Sequence, residues 1–217
     1  MSDFESRSAA EPADPDVEAP ARKRPKPGER RVQILQALAA MLEQPGGERI
    51  TTAALAARLE VSEAALYRHF ASKAQMFEGL IEFIEQSVFS LISQITTTGA
   101  GDGRQQVARI VAMLLQFGEK NPGMARVMVG DALVFENERL QQRMNLFFDK
   151  IESVLRQSLR DGALGEGSST PGLDAQVQAV VLTAFVVGQL QRFTRSGFRR
   201  VPTDKLDACL SRMLFIA

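Results

Sequence analysis

The run Ser62-Glu63-Ala64-Ala65 sets a hydroxyl, a carboxylate and two methyl groups in succession. That set suits the edges of base pairs in a major groove. Ala64 and Ala65 let a backbone come close and can touch thymine methyls, while Glu63 can accept from the exocyclic amine of cytosine and penalise other bases. Phosphate-directed groups flank it. Tyr67, Arg68 and His69 fall on the outer face of the same short helix, Lys73 opens the next one, and all four can reach phosphate oxygens. Thr51 and Thr52, at the start of the preceding helix, offer hydroxyls and backbone amides to a phosphate. Structural roles compete at four positions: Tyr67 as a partly packed core residue, His69 as a satisfied surface histidine, and Arg68 and Lys73 as solvated charges.

Other chemistries find few residues to use. His69 is the single histidine and Cys209 the single cysteine, so a two-histidine metal site and an internal disulfide are both excluded, and no metal site is expected. Neither GxGxxG nor GxxxxGK[ST] occurs, which removes the phosphate-cradling loops of nucleotide enzymes, and no nucleophile–base pair stands out. The expectation is a protein that is not an enzyme and takes no cofactor. Formal net charge is zero, so contact with nucleic acid has to come from a local patch. Residues 22–75 supply one, with ten Lys/Arg against five Asp/Glu.

These residues need short helices to carry them. From Arg30 the apolar positions Ile34, Leu35, Leu38 and Leu42 recur at helical spacing, and Pro45-Gly46-Gly47 stops the run. Thr51 and Thr52 cap a short helix over 53–59, Glu60-Val61-Ser62 forms a turn, and Ser62 caps a third helix over 63–70 with Leu66 and Phe70 pointing inward. Two short helices joined by three residues predict a helix-turn-helix, whose second helix lies in the major groove. Ser72 with Gln75 forms a capping box that opens a long helix to about Ile95.

The remainder also reads as helical. Residues 1–29 hold five of the nine prolines and almost no large apolar side chains, and are expected to form a disordered arm whose basic end either solubilises the chain or touches phosphate. Asp102 opens a helix, apolar nearly all round through Val107, Ile110, Val111, Leu114, Leu115 and Phe117, which is expected at the centre of the body. Leu140, Met144, Phe147, Ile151, Val154 and Ser158 form a stripe that needs a partner helix. A loop is expected over 162–172, followed by a helix carrying Val177, Val180, Val181, Ala184, Val187 and Gly188. This helix and the one beginning near Asn137 are expected to pair antiparallel and, in two copies, to close a four-helix dimer interface, with an internal core as the competing reading. No apolar run is expected to span a bilayer, and the acidic start lacks the pattern of a secretory signal, so a cytoplasmic protein is expected. On the long helix, Phe77, Leu80, Ile81, Ile84, Val88, Leu91 and Ile95 form one stripe, and Phe83 lies roughly 120° from its centre. Met76 and Gly79 share the side of Phe83, predicting a small apolar patch for a partner helix or peptide.

Ile50-Thr51-Thr52, the run from Ser62 to Phe70 and Ser72-Lys73 together resemble the signature of the TetR family, to which Tyr-x-His-Phe followed by Ser-Lys is quite specific. The resemblance implies an all-α, TetR-like homodimer of about nine helices: a three-helix DNA-binding head with the helix-turn-helix, plus a helical dimerisation body. On that reading 1–29 is the arm, 30–75 the DNA-binding domain and 76–217 the dimerisation and partner-binding domain. The segments Met76-Phe77, Leu80 to Glu85, Phe117 to Gly123 and Arg200 to Asp204 are similar to a group within the family that binds palindromic chromosomal sites. On DNA, members of that group engage the tubulin-like division protein FtsZ and disrupt its filaments over the nucleoid. The resemblance therefore implies palindromic double-stranded DNA and FtsZ as partners, and carries the FtsZ contact to Phe83, Lys120 and Asn121. The sequence departs from enteric members at Leu91, where they carry arginine, and at Gln116, where they carry glycine. The alternative is a ligand-responsive repressor of the broader TetR kind. That needs a cavity with converging polar groups, which the uniformly apolar helix 107–117 does not promise.

Overall fold

The structure, a computed structural model, describes residues 28–44, 49–98, 102–163 and 171–214. The expected arm lies outside these residues except for its last two positions, as do the Pro45-Gly46-Gly47 stop and most of the loop expected over 162–172. Among the described residues there are nine α-helices and no strand: α1 (Glu29–Leu42), α2 (Thr52–Arg58), α3 (Glu63–Tyr67), α4 (Lys73–Thr98), α5 (Gly103–Lys120), α6 (Pro122–Met128), α7 (Glu138–Ala163), α8 (Pro171–Arg195) and α9 (Leu206–Leu214). A 3-10 turn at Asp131–Leu133 precedes α7. We call α1–α3 the head and α4–α9 the body.

The head forms around Ile34, Leu38, Leu42, Leu55, Leu66 and Phe70, all fully buried. Between α2 and α3 the chain turns at Glu60, whose φ of 54° is left-handed. Glu60 donates its N–H to the Ala57 carbonyl at 3.1 Å and Val61 donates to that of Ala56 at 3.0 Å, which satisfies the carbonyls at the end of α2 and aims α3 across it. The third helix is shorter than its periodicity predicts. Arg68 and His69 turn out of it, yet the Phe70 N–H still reaches the Leu66 carbonyl at 3.1 Å and Phe70 stays in the core.

In the body, α5 is the centre and packs against α4, α6, α7, α8 and α9. It is not apolar all round: Val107, Ile110, Val111, Leu114 and Leu115 are buried, while Gln105, Arg109, Gln116 and Lys120 form an exposed edge. Leu140, Met144, Phe147 and Ile151 of α7 are buried within the same chain, so their partners are α4, α5 and α8, not a second copy. Thr194 Oγ1 of α8 donates to Asp131 Oδ2, just before α7, at 2.9 Å, which fits the antiparallel course of the α7–α8 pair.

The eighth helix has two apolar faces. Ala175, Ala179, Leu182, Val186 and Leu190 point inward, and Leu173, Val177, Val180 and Val181 are exposed. With both faces apolar, α8 is long and apolar enough to cross a membrane by length and composition, which corrects the expectation that no stretch reaches that length. Its inward face is covered by protein, and the outward residues lie at the spacing of a helix–helix seam.

Head and body meet along α4 and α6. Three ion pairs join α4 to α7 and the segment before it: Lys73 with Glu136, Glu78 with Arg139 (Oε1 to Nη2, 2.7 Å), and Glu85 with Arg143 (Oε2 to Nη2, 2.6 Å). Both sets of positions ascend together, so these two helices run in the same direction. The Glu85 hydrogen bond raises the pKa of Arg143 further above the ordinary guanidinium value.

Candidate nucleic-acid interface

Two hydroxyls of the expected interface act as helix caps. Thr51 is extended (φ −101°, ψ 153°) and its side chain accepts from the Ala54 N–H at 3.1 Å. Ser62 (φ −77°, ψ 153°) accepts from Ala65 N–H at 3.2 Å. Each satisfies a backbone donor that the helix leaves open and fixes where its first turn points. The third hydroxyl, Thr52 Oγ1, donates to Glu63 Oε2 at 2.6 Å, linking the first turns of α2 and α3. The residue expected to touch phosphate and the residue expected to read cytosine thus hold each other, and α3 is tied to α2 at its N-terminal end.

Ser62, Glu63 and Ala64 are exposed, Ala65 is half-buried, and Tyr67, Arg68 and His69 are all exposed. Tyr67, 45% exposed, is partly covered and partly open to solvent. Of the expected positions from Ser62 to His69, only Ala65 is half-buried and the rest are accessible. The Ser72 cap also forms, accepting from the Gln75 N–H at 3.2 Å, but Gln75 Oε1 reaches back to Ala71 N–H at 2.9 Å and not to that of Ser72. Lys73 differs most from its expected role: it is only part-exposed and its ammonium is paired with Glu136 from the segment before α7.

Sequence reasoning missed the residue that braces the far end of α3. Arg31 of α1 stacks its guanidinium 4.1 Å from the Phe70 ring centroid and donates from Nη1 to the His69 carbonyl at 2.6 Å. The two ends lie 38 residues apart, and no local pattern announces such a contact.

The expected partner residues lie on the body. Phe83 is 47% exposed on α4, Lys120 is exposed at the end of α5, and Asn121 Nδ2 donates to the Phe117 carbonyl at 2.8 Å, closing α5 before Pro122 starts α6. Because α4 packs on α5, these residues sit on neighbouring helices. The expected apolar patch around Phe83 does not form: Met76 and Gly79 are buried. Gly79 lies under Phe70 and Leu35, so the head covers the side of α4 that was expected to face outward. Leu91 is exposed and Ile92 takes its place in the core, a one-residue shift of the stripe along the last turns of α4.

Comparison with known proteins matches this architecture. Residues 34–80 match the family described as bacterial regulatory proteins, tetR family, and residues 102–215 match a SlmA-like family described as tetracyclin repressor-like, C-terminal domain. The chain is 52% identical over 179 residues to the nucleoid occlusion factor SlmA of Vibrio cholerae, covering 82% of this chain and 90% of that one. With SlmA of Shewanella sediminis it shares 51% identity over 178 residues, covering 82% and 89%. Among solved structures it resembles the fatty acid degradation regulator FadR of Bacillus halodurans (TM-score 0.70, 15% identity, 86% of this chain and 95% of that one). It also resembles a TetR-family regulator from Rhodococcus (TM-score 0.68, 22% identity, 87% and 98%). At those identities the two structures speak for the fold alone. The sequence matches across both halves of the chain carry the assignment further: the protein belongs to the TetR family of DNA-binding regulators, which are not enzymes, and within that family to the SlmA group.

Proposed function

We propose that the chain is a nucleoid occlusion factor, cytoplasmic and nucleoid-associated, that binds palindromic chromosomal sites as a dimer and antagonises FtsZ filament assembly over the nucleoid. The observation that carries this reading is the identity of about half with curated SlmA proteins along nearly their whole length. Residues 30–75 are the DNA-binding unit on this reading, with Ser62, Glu63, Ala64 and Ala65 toward bases and Thr51, Thr52, Tyr67, Arg68, His69 and Lys73 toward phosphates. Residues 76–217 carry the dimer seam, along the exposed row Leu173, Val177, Val180 and Val181 of α8, and the FtsZ contact at Phe83, Lys120 and Asn121. Half-exposed Phe83 supports that role, since a large apolar side chain kept out of a well-filled core is available to a partner.

The test is sedimentation of FtsZ filaments with the purified protein, with and without a palindromic duplex. We expect loss of filaments that requires the duplex and fails in both Phe83→Ala and Thr51→Ala. Filaments unaffected while DNA binding is intact would overturn the proposal.

One observation favours a second reading, a ligand-responsive repressor. A cleft of about 530 Å³ between the segment before α7, α7 and α8 is lined by Met144, Phe148 and Val187 together with Asp131, Asn145 and Arg195. Gln141, Asp149 and Gln191 line it as well, so polar side chains are as many as apolar ones and the cleft suits a polar ligand. A compound that raises Tm and releases DNA would support this reading.

A further inference from the structure

One segment of the body contacts two cations beside the helix-turn-helix, Arg49 just before α2 and Lys73 at the start of α4. The segment Val134-Phe135-Glu136 leaves the 3-10 turn and crosses to the head, where the Arg49 guanidinium lies 5.6 Å from the Phe135 ring centroid and Lys73 pairs with Glu136. Arg49 precedes the Thr51 cap by two residues, and Lys73 is the first residue of α4. Both therefore border the edge assigned to phosphate. The pairing at Lys73 is more than a surface contact, because the Glu136 side chain is only 8% exposed and that of Lys73 29%.

We propose that Glu136 restrains DNA binding by holding Lys73 away from the phosphate backbone. The inference rests on the reading of Lys73 as a phosphate contact. A carboxylate buried to this degree depends on its counter-ion, and removing that ion leaves an uncompensated charge at a cost. When Lys73 moves to a phosphate, Glu136 is left in that condition, so this contact adds less affinity than a free lysine would. Glu136 belongs to the same row of pairs as Glu78–Arg139 and Glu85–Arg143, which keep the start of α7 against α4 on either side of Phe83 in sequence. Glu136 is thus a positioning residue: it touches no DNA and acts through Lys73.

Glu136→Gln keeps the shape of the side chain and removes the charge, so it frees Lys73 without leaving a buried carboxylate. The experiment measures affinity for a palindromic duplex across a salt series for wild type, Glu136→Gln, Lys73→Gln and the double variant, with Tm for each. We expect Glu136→Gln to bind several-fold more tightly, with log K against log salt steeper by up to about one per protomer, as gaining one phosphate contact requires. Lys73→Gln is expected to weaken binding, and adding Glu136→Gln to it is expected to change nothing further. Unchanged or weaker binding by Glu136→Gln at an unchanged Tm, with Lys73→Gln weaker than wild type, overturns the restraint. Lys73→Gln binding as tightly as wild type, with Glu136→Gln no tighter either, overturns instead the reading of Lys73 on which the inference rests. A lowered Tm for Glu136→Gln does not rescue the proposal: the salt slope, which fold stability does not set, still has to steepen.

Discussion

Gly123 lies on the carbonyl of Ala39, so close that a Cβ at this glycine would stand 2.0 Å from the oxygen. This is where α6 of the body rests on α1 of the head, and Arg126 one turn later donates to the Gln44 carbonyl at 3.1 Å while stacking 4.8 Å from the Phe198 ring centroid. Asn121-Pro122-Gly123 thus ends α5, starts α6 and seats the head within three residues. The proposed FtsZ residues Lys120 and Asn121 adjoin this joint.

Gly123→Ala is expected to destabilise the fold, because the obstacle is backbone and cannot rotate away; overpacking of this kind costs about 1–3 kcal/mol. Gly118→Ala is the control. Its Cβ would meet Leu190 Cδ2 at 2.4 Å, the end of a flexible side chain. Thermal unfolding should show the larger loss for Gly123→Ala, and equal losses would mean that the head–body joint yields.

Phe83→Ala and Phe77→Ala should separate function from stability. Phe77 is fully buried and its truncation is expected to cost roughly 3–5 kcal/mol. Half-exposed Phe83 should change unfolding free energy by less than about 1 kcal/mol while abolishing the effect on FtsZ. Denaturant titrations beside filament sedimentation check both.

Val177→Asp or Val181→Asp is expected to convert the dimer to monomer in sedimentation velocity, since each would bury an unpaired carboxylate at the seam. Far-UV circular dichroism should be unchanged, because both positions are exposed in the single chain. A dimer that survives both substitutions would place the seam elsewhere.

Glu63→Gln, which keeps an acceptor for Thr52 Oγ1, should relax discrimination at one base position by about 1–3 kcal/mol. Arg31→Gln, by loosening the far end of α3, should weaken cognate binding through Tyr67, Arg68 and His69. Competition binding against single-base variants of the duplex distinguishes a lost reader from a loosened helix.

The local features of the head were legible in the sequence. Caps at Thr51 and Ser62 and the inward Leu66 and Phe70 are set by neighbouring side chains and backbone and stand where spacing predicts them, whereas the third helix ends at Tyr67, three residues earlier than its periodicity predicts. Apolar periodicity likewise marked α7 and α8 as helices. It could not say which face meets the same chain and which is left outward, because both faces of α8 are apolar and the choice depends on where α5 and α7 lie. The same limit hid Met76 and Gly79 beneath the head and misplaced Leu91. Charge partners were beyond reach for a related reason: Lys73 and Glu136 are 63 residues apart, and Arg31 and His69 are 38. The sequence by itself determined which residues form helices and which types they present. Only the packing of α4 against α1, α6 and α7 decided which of those residues are covered, paired or left free, because burial and ion pairing depend on elements distant in the chain.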